Sequence, residues 1–157
     1  MKRSQSQNGA SLIEILVAVL VLSFGLLGMA AMQARAVKGN QSSMQRTQGV
    51  MLSYYILDAM RIDKNSAKAL NYNTGSLVGD VIGGICTPDA VTGTTLAHTN
   101  MRDWITALKD NMGQADDTTT CGAVLCDADG NCRVQVQWDD TRAGGVGVQT
   151  IDTATKL

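Results

Sequence analysis

ASLIEILVAVLVLSFGLLGMAAM, residues 10–32, is a long apolar run near the N-terminus of this chain. Its only charged residue is Glu14, no charge follows from Ile15 to Gln33, and Arg35 ends the run. At about 1.5 Å of rise per residue, such a run is long enough to cross the hydrocarbon core of a membrane once. The sequence therefore predicts one membrane-spanning helix near the N-terminus.

The residues in front of this run indicate its orientation in the membrane. Two other interpretations of the run, a cleaved secretory signal and a simple anchor, fit less well. Residues 1–9, MKRSQSQNG, are polar, and Lys2 and Arg3 favour a cytoplasmic N-terminus with the rest of the chain outside. A cleaved secretory signal fits less well, because the run is longer than usual and no convincing small-x-small site follows it. A simple anchor leaves Glu14 unexplained, since a carboxylate in a lipid-embedded helix costs a few kcal/mol.

Length and charge limit the remaining function classes. The chain has 157 residues, enough for one modest domain plus an extra element, and a formal net charge of −1. Beyond Arg35 and Lys38 it has no basic cluster, whereas phosphate backbones require several converging cations, so no nucleic-acid partner is expected. With a single histidine and no nucleophile or phosphate-loop motif, we expect neither an enzyme nor a cofactor.

The cysteines point to an oxidising compartment. All four lie in the second half, at Cys86, Cys121, Cys126 and Cys132, and an even number after a membrane segment indicates two disulfides. A zinc site is the competing interpretation, but no Cys-x-x-Cys pair occurs and His98 is remote from the cysteine cluster. No metal is therefore expected.

Four cysteines allow three pairings, and the turn between Cys126 and Cys132 bears on the choice. A three-residue loop at 128–130 would place these two cysteines opposite each other, leaving Cys86 to join Cys121. A two-residue Asp-Gly turn would shift the register by one and separate them. The sequence leaves both arrangements open.

Beyond the membrane, helical character continues to about Arg61. Apolar residues spaced by seven or four form a stripe that we expect to pack against the protein's own sheet, with a partner-binding seam as the alternative. The stripe consists of Val37, Met44, Met51, Tyr55 and Ile62.

The second half is predicted to be α+β. Residues 63–98 are interpreted as an irregular connection, followed by a helix capped by Thr99 or Asn100 that runs to Met112 and stops at Gly113. Alternating apolar residues then predict three antiparallel strands, Gly122–Asp127, Arg133–Asp139 and Val146–Asp152. The predicted fold is one long N-terminal helix packed on a small antiparallel β-sheet.

Gly9-Ala10-Ser11-Leu12-Ile13-Glu14, followed by some twenty apolar residues, resembles the signature of type IV prepilins. The resemblance implies cleavage after Gly9 by prepilin peptidase and methylation of the new N-terminus at Ala10. It also implies that Glu14 acts in assembly. In a core of packed helices, this carboxylate can meet the Ala10 amine of a neighbouring subunit, and such a pair enforces register more than it adds stability.

Four segments follow one another: LLGMAAMQARAVKGNQSSMQ, MLSYYILDAMRIDKNSA, RDWITALKD and a terminal strand pair with Trp138. Their order resembles that of the PilV-like minor pilins, also called pilus modification proteins, and the resemblance is strong through residue 62 and thinner afterwards. It implies a cleaved leader (1–9), a transmembrane and assembly helix (10–34), and a periplasmic pilin-like domain (35–157). The implied route is a single pass through the inner membrane and then the pilus fibre. The implied partners are other minor and major pilins, prepilin peptidase, the inner-membrane assembly machinery and the membrane. A type II secretion pseudopilin is the main alternative, and a single-pass membrane sensor is the third.

Overall fold

The computed structural model describes residues 11–157 and divides into two compact units that meet between Val37 and Lys38. Gly9 and Ala10 lie outside the described residues. The first helix, α1, runs unbroken over Leu12–Ile62 and so belongs to both units. The long N-terminal helix expected from the sequence is therefore present.

Within the second unit, α1 buries a face different from the predicted stripe. Its buried residues are Gly49, Ser53, Ile56, Leu57 and Met60. The stripe assigned to the core is exposed at every position, so that prediction is wrong; the exposed fractions are Val37 56%, Met44 61%, Met51 65%, Tyr55 48% and Ile62 87%.

Small residues explain which face of α1 meets the domain. A Cβ added at Gly49 would lie 2.8 Å from Cδ1 of Ile151 and 3.2 Å from Cε of Met112, so these side chains pack directly against the helix backbone and would have to shift for a larger residue. Ser53 is fully buried and donates its hydroxyl to the carbonyl of Gly49 at 2.8 Å. Close approach at these two positions lets Ile56 and Met60 enter the core on the same side of the helix.

The segment expected to be an irregular connection contains regular elements. It holds a short helix, α2 (Lys64–Lys68), and a two-residue antiparallel hairpin, β1 (Leu77–Val78) and β2 (Val81–Ile82), followed by a 3₁₀ turn at Pro88–Ala90. The hairpin turns at Gly79, whose φ of 63° suits glycine.

Helix α3 spans Leu96–Met112 and begins earlier than predicted. Its N-cap is Thr95 rather than Thr99 or Asn100, and the Thr95 side chain accepts a hydrogen bond from the amide of His98. Gly113 ends the helix, as predicted. On the buried face, the indole of Trp104 donates to the carbonyl of Leu52 in α1 at 2.9 Å.

Three antiparallel strands form the main sheet in the order β3-β4-β5. Their bounds are Cys121–Cys126, Asn131–Asp139 and Val148–Lys156, so the last strand begins and ends later than predicted. Val124, Val134, Val136 and Trp138 join the residues of α1 and α3 in one core. The fold is α+β, with a long N-terminal helix and a small antiparallel sheet, as expected.

Candidate functional site

The first candidate site is the exposed apolar surface of α1. Each residue from Leu12 to Arg35 is exposed, and the most apolar 18-residue window has a mean hydropathy of 2.6. This part of the helix is long and apolar enough to cross a membrane, by length and composition. Its surface is therefore suited to lipid or to other apolar helices.

Glu14 stands in the first turn of this helix. The carbonyl of Ser11 accepts hydrogen bonds from the amides of Glu14 and Ile15, at 2.9 and 3.3 Å, so Glu14 lies in the turn that opens the helix. A negative charge is favoured there by the helix dipole. The Glu14 carboxylate makes no ion pair within residues 11–157.

The cysteines form two disulfides. The long-loop disulfide joins Cys86 to Cys121 and the hairpin disulfide joins Cys126 to Cys132, each with 4.1 Å between the Cα atoms. This is the pairing that follows from a three-residue hairpin loop. In the structure the amide of Asp127 donates to the carbonyl of Asn131 at 3.0 Å.

The hairpin loop shows why that register is adopted. Gly130 has a φ of 87°, the left-handed conformation that ends a three-residue loop. The side chain of Asp127 also accepts from the backbone amide and the side-chain amide of Asn131, at 2.9 and 2.7 Å. These bonds lower the pKa of Asp127 and hold Cys126 opposite Cys132.

A buried ion pair organises the loop that leads from α3 into the sheet. Lys109 is 3% exposed, and its ammonium donates to both the backbone carbonyl and the carboxylate of Asp117, the latter at 3.2 Å. That carboxylate also accepts from the amides of Gln114, Thr119 and Thr120 at 2.6–2.9 Å. Burial alone would raise the pKa of Asp117, but these donors outweigh it and place the pKa far below its usual range.

A second polar network fastens the β1–β2 hairpin to the sheet. The side chain of Gln135 donates to the carbonyl of Asp80 and accepts from the amide of Ile82 at 2.7 Å. It also donates to the carboxylate of Asp152 at 2.7 Å, which the guanidinium of Arg133 binds as well. Burial would raise the pKa of Asp152, but the bonds from Arg133 and Gln135 lower it.

Sequence reasoning missed Lys109, Asp117 and Gln135 as organising residues. Lys109 offered one usable signal, since it sits on the apolar face of α3 where the 3.6-residue period predicts a buried side chain. Gln135 lies at the centre of a strand, on the face that it shares with the polar residues Arg133 and Gln137, and so resembles a solvent-facing residue.

An open depression of about 650 Å³ lies beside the hairpin disulfide. Two charged residues line it, Asp127 and Arg133, and both are engaged in hydrogen bonds within the chain. Between residues 11 and 157 no three His, Cys, Asp or Glu residues converge in a way that could hold a metal ion.

Comparisons with protein-family models, with curated proteins and with solved structures give no match to this chain.

Proposed function

We propose that this chain is a minor pilin, a membrane-anchored subunit that prepilin peptidase trims and that then joins or primes a type IV pilus. One observation carries the proposal: a single carboxylate, Glu14, stands in the first turn of an exposed apolar helix that continues without a break into an α+β domain. A lipid anchor alone has no use for this charge, which is costly in a membrane.

The assembly role of Glu14 follows from its charge. Cleavage after Gly9 would create a positive amine on Ala10, which the Glu14 carboxylate of an adjacent subunit can pair with in an apolar fibre core. An unpaired charge in that core would be strongly disfavoured, so the pairing fixes the axial position of each subunit. The two disulfides fit a domain that works outside the cytoplasm.

The processing step is tested by mass spectrometry of the N-terminal peptide from membranes that contain active prepilin peptidase. The expected mature protein begins at Ala10, with or without a methyl group. Recovery of intact residues 1–9 would contradict the proposal and favour a membrane sensor. Replacing Gly9 with a bulky residue should leave the precursor in the membrane.

The assembly step is tested with Glu14→Ala and the matched control Ser23→Ala, which removes a hydroxyl bonded to Val19 within the same helix. Both variants should be cleaved and inserted, because Ala suits lipid at least as well. Only Glu14→Ala should be lost from sheared pili. Normal recovery of Glu14→Ala in pili would exclude the role given to this carboxylate, and a defect confined to protein export would favour a secretion pseudopilin.

A further inference from the structure

One end of the sheet lies beside the first residues of the second unit, which directly follow the apolar run along the chain. Two contacts within this unit show how the sheet follows α1. The sulfur of Cys126, at the end of β3, lies 3.8 Å from that of Met60. The hydroxyl of Ser42, eighteen positions earlier in α1, donates to the carboxylate of Asp140, just after β4, at 2.6 Å. The β4–β5 loop, residues 140–147, is therefore at the end of the unit that follows the apolar run.

The β4–β5 loop touches the first residue of the unit. A Cβ placed on Gly144 would lie 2.9 Å from Cδ of Lys38, so the stem of this lysine packs directly on the loop. Lys38 follows Gln33, the last residue of the uncharged run, by five positions, and α1 is helical throughout. Five residues of helix rise about 7.5 Å, close to the thickness of one lipid headgroup layer. In a membrane that the run spans, the contact at Lys38 thus stands at the level of the headgroups.

The loop is ordered and holds one apolar side chain in solvent. The amide of Asp140 donates to the carbonyl of Gly147, and the amide of Gly145 donates to the carbonyl of Asp140, each at 3.0 Å. The side chain of Gln149 also donates to the carbonyl of Val146 at 2.8 Å. Val146 is nevertheless 88% exposed. Its exposure belongs to a structured loop, so an apolar side chain is held outward at this end of the unit.

Two cations accompany this valine. Lys38 and Arg142 are exposed, and neither makes an ion pair within residues 11–157. The two carboxylates at this end are bonded within the chain. Asp140 is 4% exposed and accepts from α1, and Asp139 accepts from the amide of Thr141 at 2.9 Å. The charge that this surface offers to an external partner is therefore mainly positive.

We propose that the β4–β5 loop docks on the surface of the membrane that holds α1, with Val146 between the lipid headgroups and with Lys38 and Arg142 bound to lipid phosphates. An apolar side chain flanked by cations suits the boundary between acyl chains and anionic headgroups. A lipid surface is favoured over a protein partner because the chain connection keeps Lys38 at headgroup level, where lipid surrounds the helix. The inference rests on the membrane anchoring in the proposed function, and not on cleavage or pilus assembly.

The test measures lipid contact at the loop in vesicles that contain the full chain alone, at low protein density, in equal parts of phosphatidylglycerol and phosphatidylcholine. All four cysteines are in disulfides, so a single introduced cysteine takes an environment-sensitive fluorophore. A nitroxide on the upper acyl chain of a lipid quenches a label that enters the interface. Val146→Cys should be quenched at least about three-fold more than the matched control Val78→Cys.

The control carries the same substitution at a site far from Lys38. Val78 is 75% exposed and belongs to the β1–β2 hairpin, which is bonded to the side chain of Gln135. Gln135 lies five residues, or about 16 Å along the strand, from Asp140. An exposed apolar site alone therefore does not bring the label to the lipid.

A second comparison tests the cations. In the Val146→Cys background, Lys38→Glu combined with Arg142→Glu should lower the quenching to the level of the Val78→Cys label. Lys64→Glu combined with Lys156→Glu makes the same change in net charge at two exposed sites and should leave the quenching unaltered. Intact disulfides on non-reducing gels check that each variant is folded.

Each other outcome overturns the proposal. Equal quenching at positions 146 and 78 would show that the loop does not meet the membrane, and equal effects of the two double variants would show that the cations do not bind lipid. A blue-shifted label at position 146 without lipid quenching would indicate a second copy of the chain as the occupant. A chain that does not float with the vesicles would overturn the anchoring and this inference together, whereas a chain that floats without excess quenching would overturn this inference alone.

Discussion

The buried Lys109–Asp117 pair leads to a prediction in which its two members behave differently. Asp117→Ala should destabilise the domain strongly, whereas Lys109→Met should have a small effect. The reason is that Lys109 is 3% exposed and, among residues 11–157, donates to Asp117 alone, while the Asp117 carboxylate has several other donors.

The magnitudes follow from what each substitution leaves behind. Within the described part of the chain, Asp117→Ala leaves the buried ammonium with a single partner, the backbone carbonyl of residue 117. Breaking a buried ion pair in this way costs about 3–5 kcal/mol. It also leaves the amide of Thr120, a residue that is 1% exposed, without its acceptor. Lys109→Met removes the charge and keeps the apolar volume, so we expect a loss of about 0–1 kcal/mol.

The assay is urea unfolding of the full chain in detergent micelles, followed by tryptophan fluorescence. Both tryptophans, Trp104 and Trp138, are buried in the core of the second unit, so their emission reports its unfolding. With an m-value of about 2 kcal/mol/M, Asp117→Ala should lower the midpoint by about 1.5–2.5 M. In the double variant the loss should be smaller than for Asp117→Ala alone, because the stranded ammonium is gone.

Acid pH supplies a second readout. The pKa of Asp117 is lowered in the folded state, so its stabilisation is complete above the unfolded pKa of about 3.9 and is lost as the pH falls toward the folded pKa. The stability gap between wild type and Asp117→Ala should therefore narrow between pH 6 and about pH 3. Equal losses for Asp117→Ala and Lys109→Met at pH 7, or a gap that widens in acid, would refute this account of the pair.

Three further predictions concern packing and cross-links. Gly122→Ala should lower the free energy of unfolding by about 1–3 kcal/mol, because its Cβ would lie 2.5 Å from the Trp104 ring; an unchanged urea midpoint would contradict this. Leu57→Ala should lower the free energy of unfolding by about 2–5 kcal/mol and Met51→Ala by less than about 0.5 kcal/mol, since only Leu57 is buried. A larger loss for Met51→Ala than for Leu57→Ala would show that the stripe belongs to the core after all. Replacing both cysteines of the long-loop disulfide with serine should lower the free energy of unfolding, measured by calorimetry, by about 4 kcal/mol. The same replacement at the hairpin disulfide should lower it by about 2 kcal/mol, because the two loops span 35 and 6 residues.

The central strand of the sheet was predictable from the sequence, because a two-residue period admits one assignment of faces. Val134, Val136 and Trp138 alternate with polar neighbours, and all three are buried. Asp129-Gly130 marks the hairpin, and the left-handed φ of Gly130 selects the three-residue loop. The sequence left this loop open against a two-residue turn.

The buried face of α1 was not predictable in the same way, because the helix carries apolar residues on two sides. Met51 and Tyr55 follow one stripe, and Ile56 and Met60 follow another. The domain packs on the second stripe, where Gly49 allows close approach, and glycine gives no signal in an apolar pattern. The polar residues that organise the loops could not be predicted for a related reason, since only tertiary contacts make Asp117 different from other acidic residues.

Strand β3 has a consequence for how the domain would bear tension. Its first residue, Cys121, and its last, Cys126, are each held by a covalent bond to another part of the chain. A pulling force carried along the polypeptide would pass through these bonds and bypass the segments they enclose. At about 3.5 Å per residue, about 120 Å of chain between Cys86 and Cys121 and about 20 Å at the hairpin would stay folded back under load. The oxidised domain would thus extend about 140 Å less than the reduced one when stretched to its full length.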